Sequence, residues 1–192
     1  MIELEKKMLL SKHEYACLFE CSGHLKSIIK QVNYYYDTDD LAMNHQNITC
    51  RIRLTNGKYQ GTMKKHTVNS DRSEEIDVEV RNGVFDNEFI DMGLKLKGEL
   101  VTERCIIFKD SSCEVALDKN DYLGYTDYEL EIEYLPNFEK NVPSAIQSVV
   151  HVLPCGKLSI SPGDVISRCK NTKSKCQRFF ERMVQNEIKS HF

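Results

Sequence analysis

The segment 127–134 reads Asp-Tyr-Glu-Leu-Glu-Ile-Glu-Tyr, with acids alternating against aliphatic and aromatic residues. Side chains of a β-strand point to opposite faces in turn, so Glu129, Glu131 and Glu133 share one face of a strand whose other face is apolar. The pattern recurs along the chain. Glu3, Glu5 and Lys7 share a face, as do Arg51 and Arg53, then Lys58, Gln60, Thr62 and Lys64, and then Glu114 and Asp118. An antiparallel sheet with one solvated face has this pattern. The signs, however, are segregated, with acids on the first and last strands and bases in the middle. A solvent-facing sheet favours opposite charges across neighbouring strands and penalises like ones. A sheet of about eight strands tends to curl or close. Closed with its charged face inward, it forms a polar tunnel with an anionic wall and a cationic wall, and helices cover its apolar outside.

The remaining elements fit that frame. Ser11-Lys12-His13-Glu14 is a capping box opening a short helix that runs towards Gly23. Residues 28–37, rich in β-branched and aromatic types, read as a strand. Asn56-Gly57 between the alternating runs 50–54 and 58–64 is a strong hairpin signal. Further strands are expected over 75–80, 103–109 and 114–118, the last two joined by Asp110-Ser111-Ser112. Helices are expected over 85–92, over 143–153 with Pro143 in the first turn, and over 174–189. The last is amphipathic, with Phe179, Phe180, Met183 and Val184 as its apolar stripe and Lys175, Arg178 and Arg182 as bases. The stripe fits packing on a barrel, and the bases could also close a tunnel mouth. No linker or repeat divides the chain, so residues 1–192 read as one domain.

Composition narrows the function. The chain has 192 residues, 41% hydrophobic and 29% charged, enough for one sizeable core. A net charge of −3 gives no basic field to attract nucleic acid. The N-terminus lacks the apolar stretch of a signal peptide, and runs such as 149–153 are too short to cross a bilayer. A cytoplasmic protein with no membrane or nucleic-acid partner is expected, and a homodimer is compatible with the sequence. The eight cysteines form no CxxC pair, which fits reduced thiols and argues against zinc. His45, His66 and the other histidines show no paired spacing and are expected at the surface.

Carboxylates held side by side favour a cation between them, and carboxylate oxygens suit magnesium, calcium and manganese. Arginine and lysine opposite them suit phosphate, Arg51 and Arg53 by bidentate bonds and Lys64 as a point charge. Together they fit a polyanion plus a divalent metal, hence attack of water on a terminal phosphoryl group.

Glu3-x-Glu5-x-Lys7 resembles the ExExK signature of the CYTH superfamily, the triphosphate tunnel metalloenzymes. The resemblance continues through Tyr34-Tyr35-Tyr36-Asp37-Thr38, Arg51-Ile52-Arg53, Thr62-Met63-Lys64 and Glu129-Leu130-Glu131-Ile132-Glu133. Ser174-Lys175-Cys176-Gln177-Arg178-Phe179-Phe180 resembles the C-terminal helix of a branch found in Gram-positive bacteria. The family implies an α+β, mainly β fold: a closed eight-stranded antiparallel barrel with helices packed outside. By resemblance, Glu3 and Glu5 bind Mg2+ or Mn2+ with Glu129 and Glu131. Glu133 is a further candidate because the motif does not fix the register, and Asp118 falls near a family acid. Lys7, Arg51, Arg53, Lys64 and Arg104 fall at phosphate-binding positions, and Lys175 joins them from the last helix. Glu5, Lys7 and Glu131 are then central to catalysis. Glu75, Arg72 and Glu74 compete for one further inward position. Gly61 departs from the family pattern and is expected to face outward and weaken its strand. The tyrosines at 34–36 read as barrel-wall packing. The implied activity is hydrolysis of a triphosphate, foremost inorganic tripolyphosphate. The rivals are thiamine triphosphate hydrolysis, class IV-type adenylyl cyclase activity, and a non-catalytic polyphosphate- or nucleotide-binding module.

Overall fold

The computed structural model describes residues 2–22, 28–67, 72–81, 83–85, 91–135, 167–169 and 172–190. Eight long strands close into an antiparallel barrel in the order β1-β10-β9-β8-β2-β3-β4-β5. They are β1 (Ile2–Leu10), β2 (Ile28–Asp37), β3 (Ile48–Thr55), β4 (Lys58–His66), β5 (Arg72–Val78), β8 (Lys95–Lys109), β9 (Cys113–Tyr122) and β10 (Tyr125–Tyr134). A small hairpin of β6 (Val80–Arg81) and β7 (Val84–Phe85) lies apart from the barrel sheet. Three helices are described: α1 (Lys12–Cys21), the single turn α2 (Ala42–His45), and the C-terminal Lys175–Ser190, numbered α3 here.

The β3–β4 hairpin follows its turn chemistry, since Asn56 (φ 50°) and Gly57 (φ 75°) both take the left-handed conformation that a two-residue turn demands. The Ser11 capping box is complete, with Ser11 Oγ accepting from the Glu14 amide and Glu14 reaching back to the Ser11 amide. Asp110 ties the β8–β9 turn by accepting from the amides of Ser112 and Cys113.

Register fixes which face is inside. Glu131 pairs with Lys7 on one side and Ala116 on the other, and Glu129 with Asp118. Arg51 pairs with Tyr35 and Thr62, and Lys64 with Thr49 and Glu75. The charged positions thus face the barrel interior. The outer face of β1, β8, β9 and β10 carries an apolar cluster of Met8, Cys105, Val115, Leu117, Leu130 and Ile132, covered by Leu18, Tyr15 and Phe19 of α1.

The sequence expectations need several corrections. Strand β8 begins at Lys95, not 103, because a register shift at Tyr35/Tyr36 lets the chain pass Gly98 without leaving the sheet. The strand expected at 75–80 runs over Arg72–Val78. Phe85 belongs to β7, while 86–90, Gly23 and the helix expected over 143–153 lie outside the described residues. Gly61 does face outward, but as a close-approach position. A Cβ there would meet Val80 Cγ2 at 2.4 Å and the Val78 carbonyl oxygen at 2.7 Å, so glycine lets β6–β7 lie against β4.

Helix α3 divides its expectation: its apolar stripe does not pack on the barrel's outside, while its bases do reach a tunnel mouth. Phe179 and Phe180, both fully buried, join the inward-facing Tyr35, Leu100 and Tyr122 in a second apolar cluster that plugs one end of the barrel. The ring centroids of Tyr35 and Phe179 are 5.1 Å apart.

Candidate active site

Above the Phe179–Phe180 plug, the barrel encloses a cavity of about 250 Å³ with a mainly polar lining. Strand β1 supplies Glu5 and Lys7, β3 Arg51 and Arg53, β4 Lys64 and His66, and β5 Glu75. Opposite them stand Arg104 of β8, Glu131 and Glu133 of β10, and Lys175 of α3.

The acids are concentrated where β9 and β10 run side by side. Carboxylate oxygens of Asp118, Glu129 and Glu131 all lie within 4.8 Å of one another. In water, three such charges would repel. Here each is held by a buried cation. Arg104 forks onto Asp118 at 3.0 and 2.8 Å and reaches Glu131 at 2.9 Å and Glu133 at 3.2 Å. Lys175 Nζ sits among the three, 3.0 Å from both Asp118 Oδ2 and Glu129 Oε2 and hydrogen-bonded to Glu131. Arg178, one turn further along α3, bonds Asp127 at 2.8 Å and Glu129 at 2.9 Å. Burial alone would raise the Glu131 pKa, but Lys175, Arg104 and Lys7 reverse this and hold its carboxyl well below the usual range. Glu129 is lowered in the same way, its burial outweighed by Lys175 and Arg178. The same acids keep Lys175 protonated despite its burial.

Glu5 stands on the opposite side of Lys7. It accepts from Lys7 at 2.5 Å and Lys64 at 3.1 Å, and these cations outweigh its burial and bring its pKa down to about 2. Among the bases, Arg53 is oriented by Asn33, whose Oδ1 accepts from Nε at 2.8 Å. Burial, then Arg51 and Arg104, lower the Arg53 pKa to about 10. Arg51 Nε is buried and makes no hydrogen bond, and neither does Glu129 Oε1. One is a guanidinium donor on the cationic wall, the other a carboxylate acceptor in the acid block. A buried polar atom without a partner is costly. The two orphans are complementary to an anion and a cation respectively. The all-oxygen donor set of Asp118, Glu129 and Glu131 fits a hard divalent cation.

Of the residues anticipated from sequence, Glu5, Lys7, Arg51, Arg53, Lys64, Arg104, Glu131, Glu133 and Lys175 line one cavity, with Glu75 the inward residue of its trio. Asp118 and Glu129 are fully buried behind Lys175. Glu3 lies on β1 in register with Ser73, and its side chain falls outside the described residues. Lys175 was expected on phosphate, yet its partners here are acids, because the plug carries its ammonium beneath the carboxylates. His66 is not a surface residue. It lines the cavity, and the signal for this was present, since Thr62, Lys64 and His66 share one strand parity. Asn33 and Asp127, which orient Arg53 and Arg178, carried no signal recognisable in one sequence.

The chain matches the family model of the CYTH domain over residues 1–140. It belongs to the CYTH family. This CYTH domain is 30% identical over 147 residues to "Putative triphosphatase YjbK" of Bacillus subtilis, a match covering 69% of this chain and 77% of the relative. Among solved structures it resembles a "putative adenylate cyclase" of Bacillus halodurans, with 23% identity, TM-score 0.67, and coverage of 93% of this chain and 97% of the other. It also resembles HpAC1 of Hippeastrum, described as a "putative adenylyl cyclase" with "a dominant triphophatase activity". That match has 18% identity, TM-score 0.59, and coverage of 79% and 88%. These two structures share the fold of this CYTH domain. No helix among the described residues is long and apolar enough to cross a membrane.

Proposed function

We propose that this CYTH domain is a metal-dependent triphosphatase whose main substrate is inorganic tripolyphosphate, cleaved to pyrophosphate and phosphate. The observation that carries this reading is the meeting, in one enclosed cavity, of an acid block and a wall of bases that includes the unpartnered Arg51 Nε. The relative named as a triphosphatase supports it. Asp118, Glu129 and Glu131, with Glu5 across Lys7, would hold Mg2+ or Mn2+, which neutralises charge developing on the phosphoryl oxygens. Arg51, Arg53, Lys64 and Lys7 grip the phosphate chain and stabilise the departing pyrophosphate. A carboxylate of Glu131 or Glu5, held ionised by its cations, orients a water in line with the terminal phosphorus, and the proton the water loses passes to the phosphate product as the phosphoanhydride bond breaks. Among the described residues the cavity is lined mainly by charged side chains, with two rings, Tyr35, already packed against Phe179, and His66, beside Thr49, so the lining suits phosphates more than a base. This favours an unsubstituted triphosphate over thiamine triphosphate or ATP.

Phosphate release is to be measured from tripolyphosphate, thiamine triphosphate, ATP and pyrophosphate, with magnesium, with manganese and with chelator. Tripolyphosphate cleavage that chelator abolishes is the expected result. Turnover in chelator removes the metal's role. Binding without turnover on any substrate leaves the non-catalytic module, and formation of cyclic AMP leaves the cyclase.

A further inference from the structure

His66 has no task in that reading, although it lines the same cavity. It ends β4 two positions after Lys64, and its Nε2 lies 3.4 Å from Thr49 Oγ1. The charged groups around it are Glu5 and Lys7 of β1, Arg51 of β3, Lys64 of its own strand, and Glu75 of β5. Burial, with Lys64 and Lys7 next, lowers its pKa to about 4, against the pull of Glu5. The imidazole is therefore neutral at neutral pH while the cavity holds only its own charges. A triphosphate in contact with Lys64, Lys7 and Arg51 would cancel their field and place several negative charges near the ring. Nearby opposite charge favours the protonated form, and a triphosphate brings several such charges to set against the burial that depresses the ring.

We propose that His66 takes up a proton as a triphosphate enters the cavity and then grips a phosphate oxygen as an imidazolium, so that substrate binding is proton-coupled. The proton comes from solvent and returns to it when the products leave, so the step balances over a turnover. Because protons are taken up, affinity rises as pH falls through the pKa of the bound state. The proposal rests on the triphosphate reading above and adds a residue to it.

The test uses wild-type protein with magnesium and a methylene-bridged triphosphate analogue, which resists hydrolysis. Calorimetry in two buffers of different ionisation heat gives the protons taken up per ligand. The analogue itself also titrates, so the His66→Gln variant supplies the baseline. Long-range 1H–15N spectra of the imidazole rings report the His66 protonation state directly in the wild type. The expected result is a larger uptake in wild type than in His66→Gln, by up to one proton per site. It comes with a change of the His66 nitrogens from the neutral to the imidazolium pattern, and with a rise in affinity at lower pH that the variant lacks. Saturable binding with His66 still neutral and equal uptake in both proteins overturns the proposal and leaves the triphosphate reading standing. Absence of binding overturns both.

Discussion

Replacing Lys175 by methionine isolates the role of one ammonium. The stem survives and the charge does not. In the native structure that charge lies 3.0 Å from Asp118 and from Glu129 and is also bonded to Glu131, three acids with oxygens within 4.8 Å of one another. Removing one partner from a buried ion cluster costs about 3–5 kcal/mol, because the remaining charges stay desolvated and uncompensated. Arg104 and Arg178 remain on Asp118 and Glu129, but Glu131 keeps only Arg104 among these three cations. For a chain of this length, roughly 2–4 °C per kcal/mol converts that loss into a melting decrease on the order of 6–20 °C. A divalent cation binding the same oxygens would supply the missing charge, and at about 100 times its Kd it returns roughly 2.7 kcal/mol by mass action. In the wild type the cation must first displace the ammonium, so it gains less. Differential scanning calorimetry of both proteins, in chelator and in manganese at matched ionic strength, should show a large gap that narrows with metal. A gap of equal size in both conditions would mean that Lys175 contributes only to the seating of α3, and that the acid block is not where the cation binds.

Other consequences can be checked separately. Glu131→Gln should lower kcat by about 100-fold or more, as loss of electrostatic stabilisation at a transition state commonly does, and steady-state kinetics on tripolyphosphate measures it. Arg53→Ala should cost more kcat/KM than Arg53→Lys, since a planar fork fixed by Asn33 meets phosphate better than a point charge; equal losses would take Arg53 off the substrate. Stability without ligand should fall with acid in two stages. His66, with its pKa depressed from 6.5 to about 4, stabilises the fold fully above 6.5, and that contribution is lost as pH falls to about 4. Glu5, depressed from 4.5 to about 2, adds a contribution present above 4.5 that is lost on the way to 2. Denaturant titrations across that range, repeated with His66→Gln, should show the upper stage vanish in the variant. Gly61→Ala should destabilise by about 1–3 kcal/mol through overpacking against Val80 and the Val78 carbonyl, and an unchanged denaturation midpoint would show that β6–β7 yields freely.

The barrel was legible because its strands must alternate charge and hydrocarbon to be polar inside and apolar outside, and period two is visible in a single sequence. Segregation of charge sign separated a closed tunnel from an open sheet. The first half of β8 was lost because Lys95, Lys97 and Gly98 break the apolar pattern at a register shift. For α3, the stripe of Phe179, Phe180 and Met183 announced an amphipathic helix, but an apolar stripe does not say whether its partner is a barrel's outside or its end. The acid and base residues of the cavity were individually readable, yet their pairing was not. That Lys175 meets Asp118 depends on how far α3 sinks into the barrel, a tertiary fact with no local signature. Spacing between histidines does not reveal His66, whereas its strand parity with Lys64 does.

The aromatic stopper formed by Phe179 and Phe180 gives the cavity a direction. A bore open at both ends would let a polyphosphate thread through and be cut anywhere along its length. A bore stopped at one end would admit a chain only head first, so depth would count phosphates from the terminus. It would also order departure, because the fragment nearer the entrance would have to clear before the one behind it could follow. Product inhibition should therefore be unequal, with the species that can re-enter and fill the deep end acting as the stronger competitor.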